Sequence, residues 1–112
     1  MMPQLSPDQL RQVLAIVAVR LPATKVMVFG SRARGSARPS SDLDLLVDVA
    51  EPLDDITLAH LQQDFVDSDL PFRVEVLDGA RVDAGFRSRI APDLLMLAGE
   101  GSPPSQPPPV GP

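Results

Sequence analysis

The chain of 112 residues is long enough for one domain with a single core, and 44% of its residues are apolar. Fifteen acidic residues outnumber ten basic ones, giving a net charge of −5, and there are four Phe but no Tyr or Trp. Because nucleic-acid binding normally needs a basic surface and aromatic side chains for stacking, this composition argues against nucleic acid as a direct partner.

The composition also bears on the compartment. The chain contains no cysteine, which excludes disulfides, thiolate metal sites and thiol chemistry. No basic-then-apolar leader opens the sequence, and no uninterrupted apolar run is long enough to cross a bilayer. We therefore expect a cytoplasmic protein that is not bound to a membrane.

The first predicted elements are a helix and a strand. Residues 6–9 (SPDQ) are typical of a helix start, because Ser6 can cap the first turn and Gln9 can bond back to it. An apolar face follows at helical spacing, and Pro22 ends the helix. The apolar run Lys25–Phe29 then predicts the first strand.

A glycine–serine turn, Gly30-Ser31, follows this strand, and a short helix or turn leads to a second strand predicted over 42–49. Asp42 and Asp44 are two residues apart, so on a strand they project from one face, with about 7 Å between successive same-face positions. The apolar residues of the opposite face are expected to be the buried ones: Leu43, Leu45, Val47 and Val49.

The second half of the chain predicts a helix over 54–66, a third strand over 72–77 and a last helix over about 83–90. Glu75 lies on the polar face of the third strand. Residues 94–97 fit either a fourth strand or a helical turn.

Domain organisation follows from a shift in composition. Residues 1–98 are assigned to one domain, and residues 99–112 (GEGSPPSQPPPVGP) to a disordered Pro-rich tail. A segment so rich in Pro, Gly and Ser buries too little apolar surface to offset the entropy lost on folding.

The polar residues define the expected topology. Gly30-Ser31 ends the first strand and must lie near Asp42 at the start of the second, so these two strands should be antiparallel. Glu75 also lies early in its strand, so the second and third strands should be parallel, joined by the right-handed crossover of the intervening helix. The expected fold class is therefore α+β, a mixed sheet of three to four strands with flanking helices.

Asp42, Asp44 and Glu75 together predict a metal site. Acidic groups this close repel one another, and burial would raise their pKa values unless a cation lies between them. Carboxylate oxygens suit Mg²⁺, which completes its shell with substrate phosphate and water. Gly30 lets the backbone approach a phosphate, and the amides that start a following helix favour an anion. The expected ligand is a nucleotide polyphosphate.

Two other phosphate or metal sites are excluded. An EF-hand loop does not fit, because Leu46 and Val47 stand where its third oxygen ligand and its glycine should be. A P-loop does not fit either, because no Gly-Lys-Ser/Thr follows the glycine.

Gly30-Ser31, ten intervening residues and then Asp42-x-Asp44 resemble the signature of the DNA polymerase β-like nucleotidyltransferase superfamily. In length the chain is most similar to the minimal nucleotidyltransferases, the MNT antitoxins that pair with HEPN-domain toxins. The resemblance implies that Asp42, Asp44 and Glu75 hold two Mg²⁺ ions, with Glu75 as the candidate base. The family usually has Asp at that third position, and the extra methylene moves the carboxylate by about 1.5 Å, where productive geometry tolerates about 0.5 Å.

The same resemblance implies the activity. The chain would be a type VII-like antitoxin that transfers AMP from ATP to a hydroxyl, that of a tyrosine, on its cognate HEPN ribonuclease toxin. Gly30 and Ser31, with the backbone amides beside them, would bind the terminal phosphates. Three arginines lie between the two halves of the motif, and of these Arg34 is our candidate for pairing with the triphosphate.

Two alternatives stay open. The chain could neutralise its toxin by covering it, with the catalytic motif idle. It could also modify a small molecule such as an aminoglycoside, although larger nucleotidyltransferases use a second domain for that purpose. A homo-oligomer or a hetero-oligomer is compatible with the sequence, which does not decide between them.

Overall fold

The computed structural model describes residues 3–98. Residues 1–2 and 99–112, which include the predicted Pro-rich tail, lie outside the described part. In chain order the elements are α1 (Pro7–Arg20), β1 (Lys25–Phe29), α2 (Ser31–Arg34), β2 (Leu43–Asp48), α3 (Asp55–Val66), β3 (Val74–Asp78), α4 (Ala84–Ile90), a 3₁₀ turn (Ala91–Asp93) and β4 (Leu95–Ala98).

The four strands form one mixed sheet in the order β3-β2-β1-β4. The predicted antiparallel pairing of β1 with β2 is confirmed, and so is the parallel pairing of β2 with β3. The segment that the sequence left undecided is a strand, because β4 pairs antiparallel with β1. The fold is thus the expected α+β arrangement of a mixed sheet with flanking helices.

The helix starts follow from capping. Ser6 and Gln9 form the predicted reciprocal capping box at the start of α1, with Pro7 at the first helical position. Asp54 caps α3 by accepting a hydrogen bond from the Thr57 amide at 2.6 Å. Between the parallel strands β2 and β3, α3 is the crossover that such a pair requires.

The hydrophobic core lies between one face of the sheet and the helices α1 and α3. Its members are buried apolar residues that alternate along the strands and recur along these helices. They include Val13 and Val17 of α1, Val26 and Val28 of β1, Leu43, Leu45 and Val47 of β2, Leu61 and Phe65 of α3, and Val74 and Val76 of β3. The predicted burial of Leu43, Leu45 and Val47 is therefore confirmed, whereas Val49 follows β2 and is only partly buried.

The opposite face of the sheet is not simply open to water. Leu46 shares that face with Asp44 and Asp48, yet it is fully buried. Helix α4 contacts the same face, where the Phe86 ring meets the Phe29 ring edge-on with centroids 5.9 Å apart. The polar groups on this face consequently lie beside buried apolar side chains.

Within residues 3–98, every helix is too short or too polar to cross a membrane.

Stability should depend strongly on the α3 side of the core. Leu61 is fully buried, so Leu61→Ala should lower the free energy of unfolding by about 2–5 kcal/mol. Ile56 lies on the same helix but is 69% exposed, so Ile56→Ala should change it by less than about 0.5 kcal/mol. Urea unfolding followed by circular dichroism checks both values, and equal losses for the two variants would contradict the assigned core.

Candidate active site

Asp44 occupies the centre of the candidate site. It lies in the ladder between both neighbouring strands, opposite Phe29 of β1 and opposite Glu75 of β3. Directly opposite residues in a sheet project from the same face, so the Asp44 and Glu75 carboxylates stand side by side on strands about 4.8 Å apart. The structure thereby brings two of the three predicted acidic residues together.

Gly30 is required by its backbone angles and by the position of Asp44. Its φ of +79° and ψ of −155° belong to a region that residues with side chains rarely adopt. A Cβ placed on Gly30 would also lie 2.5 Å from the Asp44 Oδ2 atom, which is closer than real Cβ contacts come. The turn and the carboxylate therefore fit together only when residue 30 is glycine.

Ser31 begins the short helix α2 directly after this turn. The amides of Ala33 and Arg34 donate to the Gly30 carbonyl, as expected for a first helical turn. The amides of Ser31 and Arg32 donate to no acceptor within residues 3–98. These two N–H groups and the Ser31 hydroxyl directly follow Gly30, the residue that lies against the Asp44 carboxylate, and they could bind an anion.

Glu75 is exposed on the edge strand β3, but its backbone is held from outside. The Gln62 carboxamide donates to the Val74 carbonyl and accepts from the Val76 amide at 3.1 Å. Gln62 therefore takes the place of a neighbouring strand on both sides of Glu75. This contact could not be predicted from the sequence, because the partners of Gln62 are main-chain groups of another element.

Asp42 lies one residue before β2, outside the strand itself. Its side chain is about half exposed and lies 3.7 Å from the Arg73 guanidinium, a loose and solvated ion pair. It is nevertheless close enough to Asp44 for its charge to act on that group.

The charges around Asp44 are unbalanced. Burial raises the pKa of Asp44, and the negative charges of Glu75 and Asp42 raise it further, while Arg34 opposes the rise. A carboxylate whose ionised form is disfavoured in this way gains from a cation placed among the three acids. The electrostatics are those of a cation site.

The donor set fits a hard divalent cation. Three carboxylates supply only oxygen ligands, which suits Mg²⁺. Within residues 3–98, however, no three acidic, His or Cys side chains are already close enough to hold a metal ion. Asp44 is held by the sheet, whereas the side chains of Asp42 and Glu75 are exposed, so ligation would require these two to turn toward Asp44.

Arg34 is already engaged by a residue that the sequence did not suggest. Its guanidinium donates to the Asp93 carboxylate at 3.2 Å, across 59 positions of sequence. Asp93 ends the 3₁₀ turn before β4, so it orients Arg34 next to the site from the far end of the chain. About half of the Arg34 side chain stays exposed, which leaves N–H donors for a ligand.

Comparison with known proteins gives a consistent result. The family model described as "nucleotidyltransferase domain" matches residues 10–96. Among curated proteins, the chain is similar to one from Haemophilus influenzae named as a probable protein adenylyltransferase, MntA. The two are 41% identical over 83 residues, which make up 74% of this chain and 73% of that protein.

Solved structures show the same fold. A toxin–antitoxin complex with AMP-PNP matches with a TM-score of 0.69 and 22% identity, over 82% of this chain and 74% of the matched chain. A complex of a tri-AMPylated HEPN toxin from Shewanella oneidensis with an MNT antitoxin matches with a TM-score of 0.63 and 21% identity, over 80% and 69% of the respective chains.

The charge at Asp44 should destabilise the metal-free protein at neutral pH. Because its pKa is raised on folding, the folded state binds a proton there more tightly than the unfolded chain, so stability falls as pH rises through the raised pKa. Asp44→Asn removes this charge and should raise the thermal midpoint at pH 7 by about 2 °C or more.

That gain should shrink as pH falls from the raised pKa and disappear below the ordinary pKa of Asp, where the side chain is protonated in both the folded and the unfolded wild type. Calorimetry of the metal-free protein from about pH 3 to about pH 8, a range that begins below the ordinary Asp pKa of about 3.9, checks the expectation. Asp69→Asn is the control, since Asp69 lies on an exposed turn. A gain of equal size at every pH would show that charge is not its cause.

Proposed function

The chain belongs to the minimal nucleotidyltransferase family, and we propose that it transfers AMP from ATP to a tyrosine hydroxyl of a cognate HEPN ribonuclease toxin and so acts as an antitoxin. The observation that carries the proposal is the arrangement of Gly30, Asp44 and Glu75. Asp44 lies against the glycine turn and Glu75 projects from the same face of the adjacent strand, and these groups supply the oxygen ligands that a metal-bound triphosphate needs.

The relatives support the choice of nucleotide and of acceptor. The Haemophilus influenzae relative is named for adenylyl transfer to protein, one structural neighbour is a toxin–antitoxin complex with AMP-PNP, and another contains a HEPN toxin that carries AMP groups. The chain shares its family with the first and its fold with the other two. An ATP-dependent reaction on a partner protein fits all three.

Asp42, Asp44 and Glu75 would hold two Mg²⁺ ions, which when bound offset the triphosphate charge and make the acceptor hydroxyl more acidic. The Ser31 hydroxyl and the amides of Ser31 and Arg32 would bind the terminal phosphates, and Gly30 leaves room for their approach.

The chemical step is an in-line displacement at the α-phosphorus. The acceptor oxygen forms a bond to that phosphorus while the bond to the bridging oxygen of the β-phosphate breaks, and pyrophosphate leaves. Glu75 takes the proton of the hydroxyl, since its exposed carboxylate is open to an incoming side chain. Arg34, oriented by Asp93, donates to the departing phosphates.

Removing the two aspartates should abolish the chemistry. After incubation with ATP and Mg²⁺, intact-mass analysis of the co-expressed toxin should show added AMP with the wild-type chain and none with Asp42→Ala plus Asp44→Ala. The control pair, Asp67→Ala plus Asp69→Ala, removes the same charge from an exposed region and should retain transfer. If the Asp42/Asp44 variant still neutralises the toxin, covering the toxin is sufficient and the catalytic proposal is wrong.

AMP transfer should require a carboxylate at position 75, and the shorter side chain of Asp should serve there better than an amide. Glu75→Gln keeps the size of the side chain but can neither accept the proton nor ligate as an anion, so it should reduce the rate of AMP transfer by about 100-fold or more. Glu75→Asp should reduce the rate less than Glu75→Gln does, because it keeps a carboxylate at a position where the resembled family usually has Asp. Single-turnover rates measure both, and full activity of Glu75→Gln would remove Glu75 from the mechanism.

A further inference from the structure

Arg32 is a buried cation that is bonded to the main chain. Only 5% of its surface is exposed, although the side chain carries a full charge. Its guanidinium donates to four backbone carbonyls, those of Gln4 at 2.7 Å, Pro39 at 2.9 Å, Arg38 at 3.4 Å, and Ser41 through two N–H groups at 2.9 and 3.1 Å. Within residues 3–98, all the acceptors of this guanidinium are backbone carbonyls and none is a carboxylate. The charge is therefore used to hold backbone segments together.

Asp42 is the acidic residue that the sheet does not hold. Asp44 has strand partners on both sides, and Glu75 lies within β3. Asp42 precedes β2, and it follows the segment 35–41 (GSARPSS), which is rich in Gly, Ser and Pro. The nearest ladder-type contact is the hydrogen bond from the Leu43 amide to the Arg73 carbonyl. Something other than strand pairing must fix the position of Asp42.

The contact between Arg32 and Ser41 supplies that restraint. The Ser41 carbonyl belongs to the peptide group that joins Ser41 to Asp42, and it accepts two of the N–H groups of the guanidinium. Two donors from one planar fork restrict both the position and the plane of this peptide group. The same guanidinium lies 4.0 Å from the centre of the Phe72 ring, just before β3. Arg32 thus connects the Asp42 segment to the strand that carries Glu75.

From this geometry we infer that Arg32 is a positioning residue, which holds the Asp42 carboxylate where it can complete a divalent-cation site with Asp44. The inference rests on the proposed function only in taking Asp42 as a metal ligand. Lysine cannot replace Arg32 in this role, because an ammonium group lacks the planar fork of N–H donors that bonds these four carbonyls. Residues that orient metal ligands in this way typically contribute about 10- to 100-fold to metal affinity.

The test uses Mn²⁺ as the probe and needs neither ATP nor a toxin. Free Mn²⁺ is titrated by electron paramagnetic resonance with the full-length wild-type chain, Arg32→Lys, Asp42→Asn and the double variant. We expect Arg32→Lys to weaken Mn²⁺ binding by about tenfold. In the Asp42→Asn background the same change should add less than about twofold, because a residue that acts through Asp42 has nothing left to position.

Arg38→Lys is the matched control. Arg38 lies in the same segment with an exposed side chain, and only its backbone groups take part in the described hydrogen bonds. It should bind Mn²⁺ as the wild type does. Wild-type affinity in Arg32→Lys, or a full tenfold loss in the Asp42→Asn background, would overturn the inference.

A second variant covers the case in which Arg32→Lys does not fold, as judged by its amide NMR spectrum. Phe72→Leu keeps the four carbonyl contacts but removes the ring under the guanidinium, and it should weaken Mn²⁺ binding by about threefold. Unchanged binding in a folded Phe72→Leu variant would then count against the inference. If the wild type binds Mn²⁺ but transfers no AMP, the proposed function fails while the role of Arg32 stands.

Discussion

Crowding of negative charge around Asp44 is the constraint on which the arrangement of this domain depends. The pairing of β2 with β3 sets Asp44 beside Glu75, and Asp42 adds a third charge. Neighbouring negative charges beside a buried apolar side chain, here the fully buried Leu46, are unfavourable in the absence of a cation. The packing of the core must therefore offset the repulsion among these carboxylates, and a bound cation would relieve it.

Each group of the site is held by a different kind of restraint. Asp44 is fixed by strand pairing on both sides and by contact with Gly30. Glu75 is fixed through the carboxamide of Gln62, and Asp42 through the guanidinium of Arg32. The restraints come from α3, α2 and the sheet, so three separate parts of the chain must be in place before the acids can act together. A site of this kind forms only after the whole domain has folded.

Much of the fold could be predicted because the capping residues and apolar patterns in short segments are consistent with a sheet that brings the acidic residues together. The capping box at Ser6, the bounds of β1 and the alternation along β2 are readable in short windows of sequence, and the need to bring the acids together fixed the strand directions. The fourth strand could not be decided, because four apolar residues become a strand only through pairing with β1. The sequence does not distinguish Arg32 from the other two arginines between the motif halves, since the carbonyls that bury it belong to other segments of the chain. Leu46 likewise gave no sign that the polar face would be partly covered.

The contact between Gly30 and Asp44 has a consequence for classifying other chains of this type. Two aspartates at this spacing do not by themselves define the site, because the second one must also fit against residue 30. A side chain at the position of Gly30 would strain the backbone at its φ of +79° and force the carboxylate of the second aspartate to shift. Among related sequences, the residue at this one position should therefore distinguish active enzymes from proteins that have lost activity or act by binding alone. It should do so better than the presence of the two aspartates.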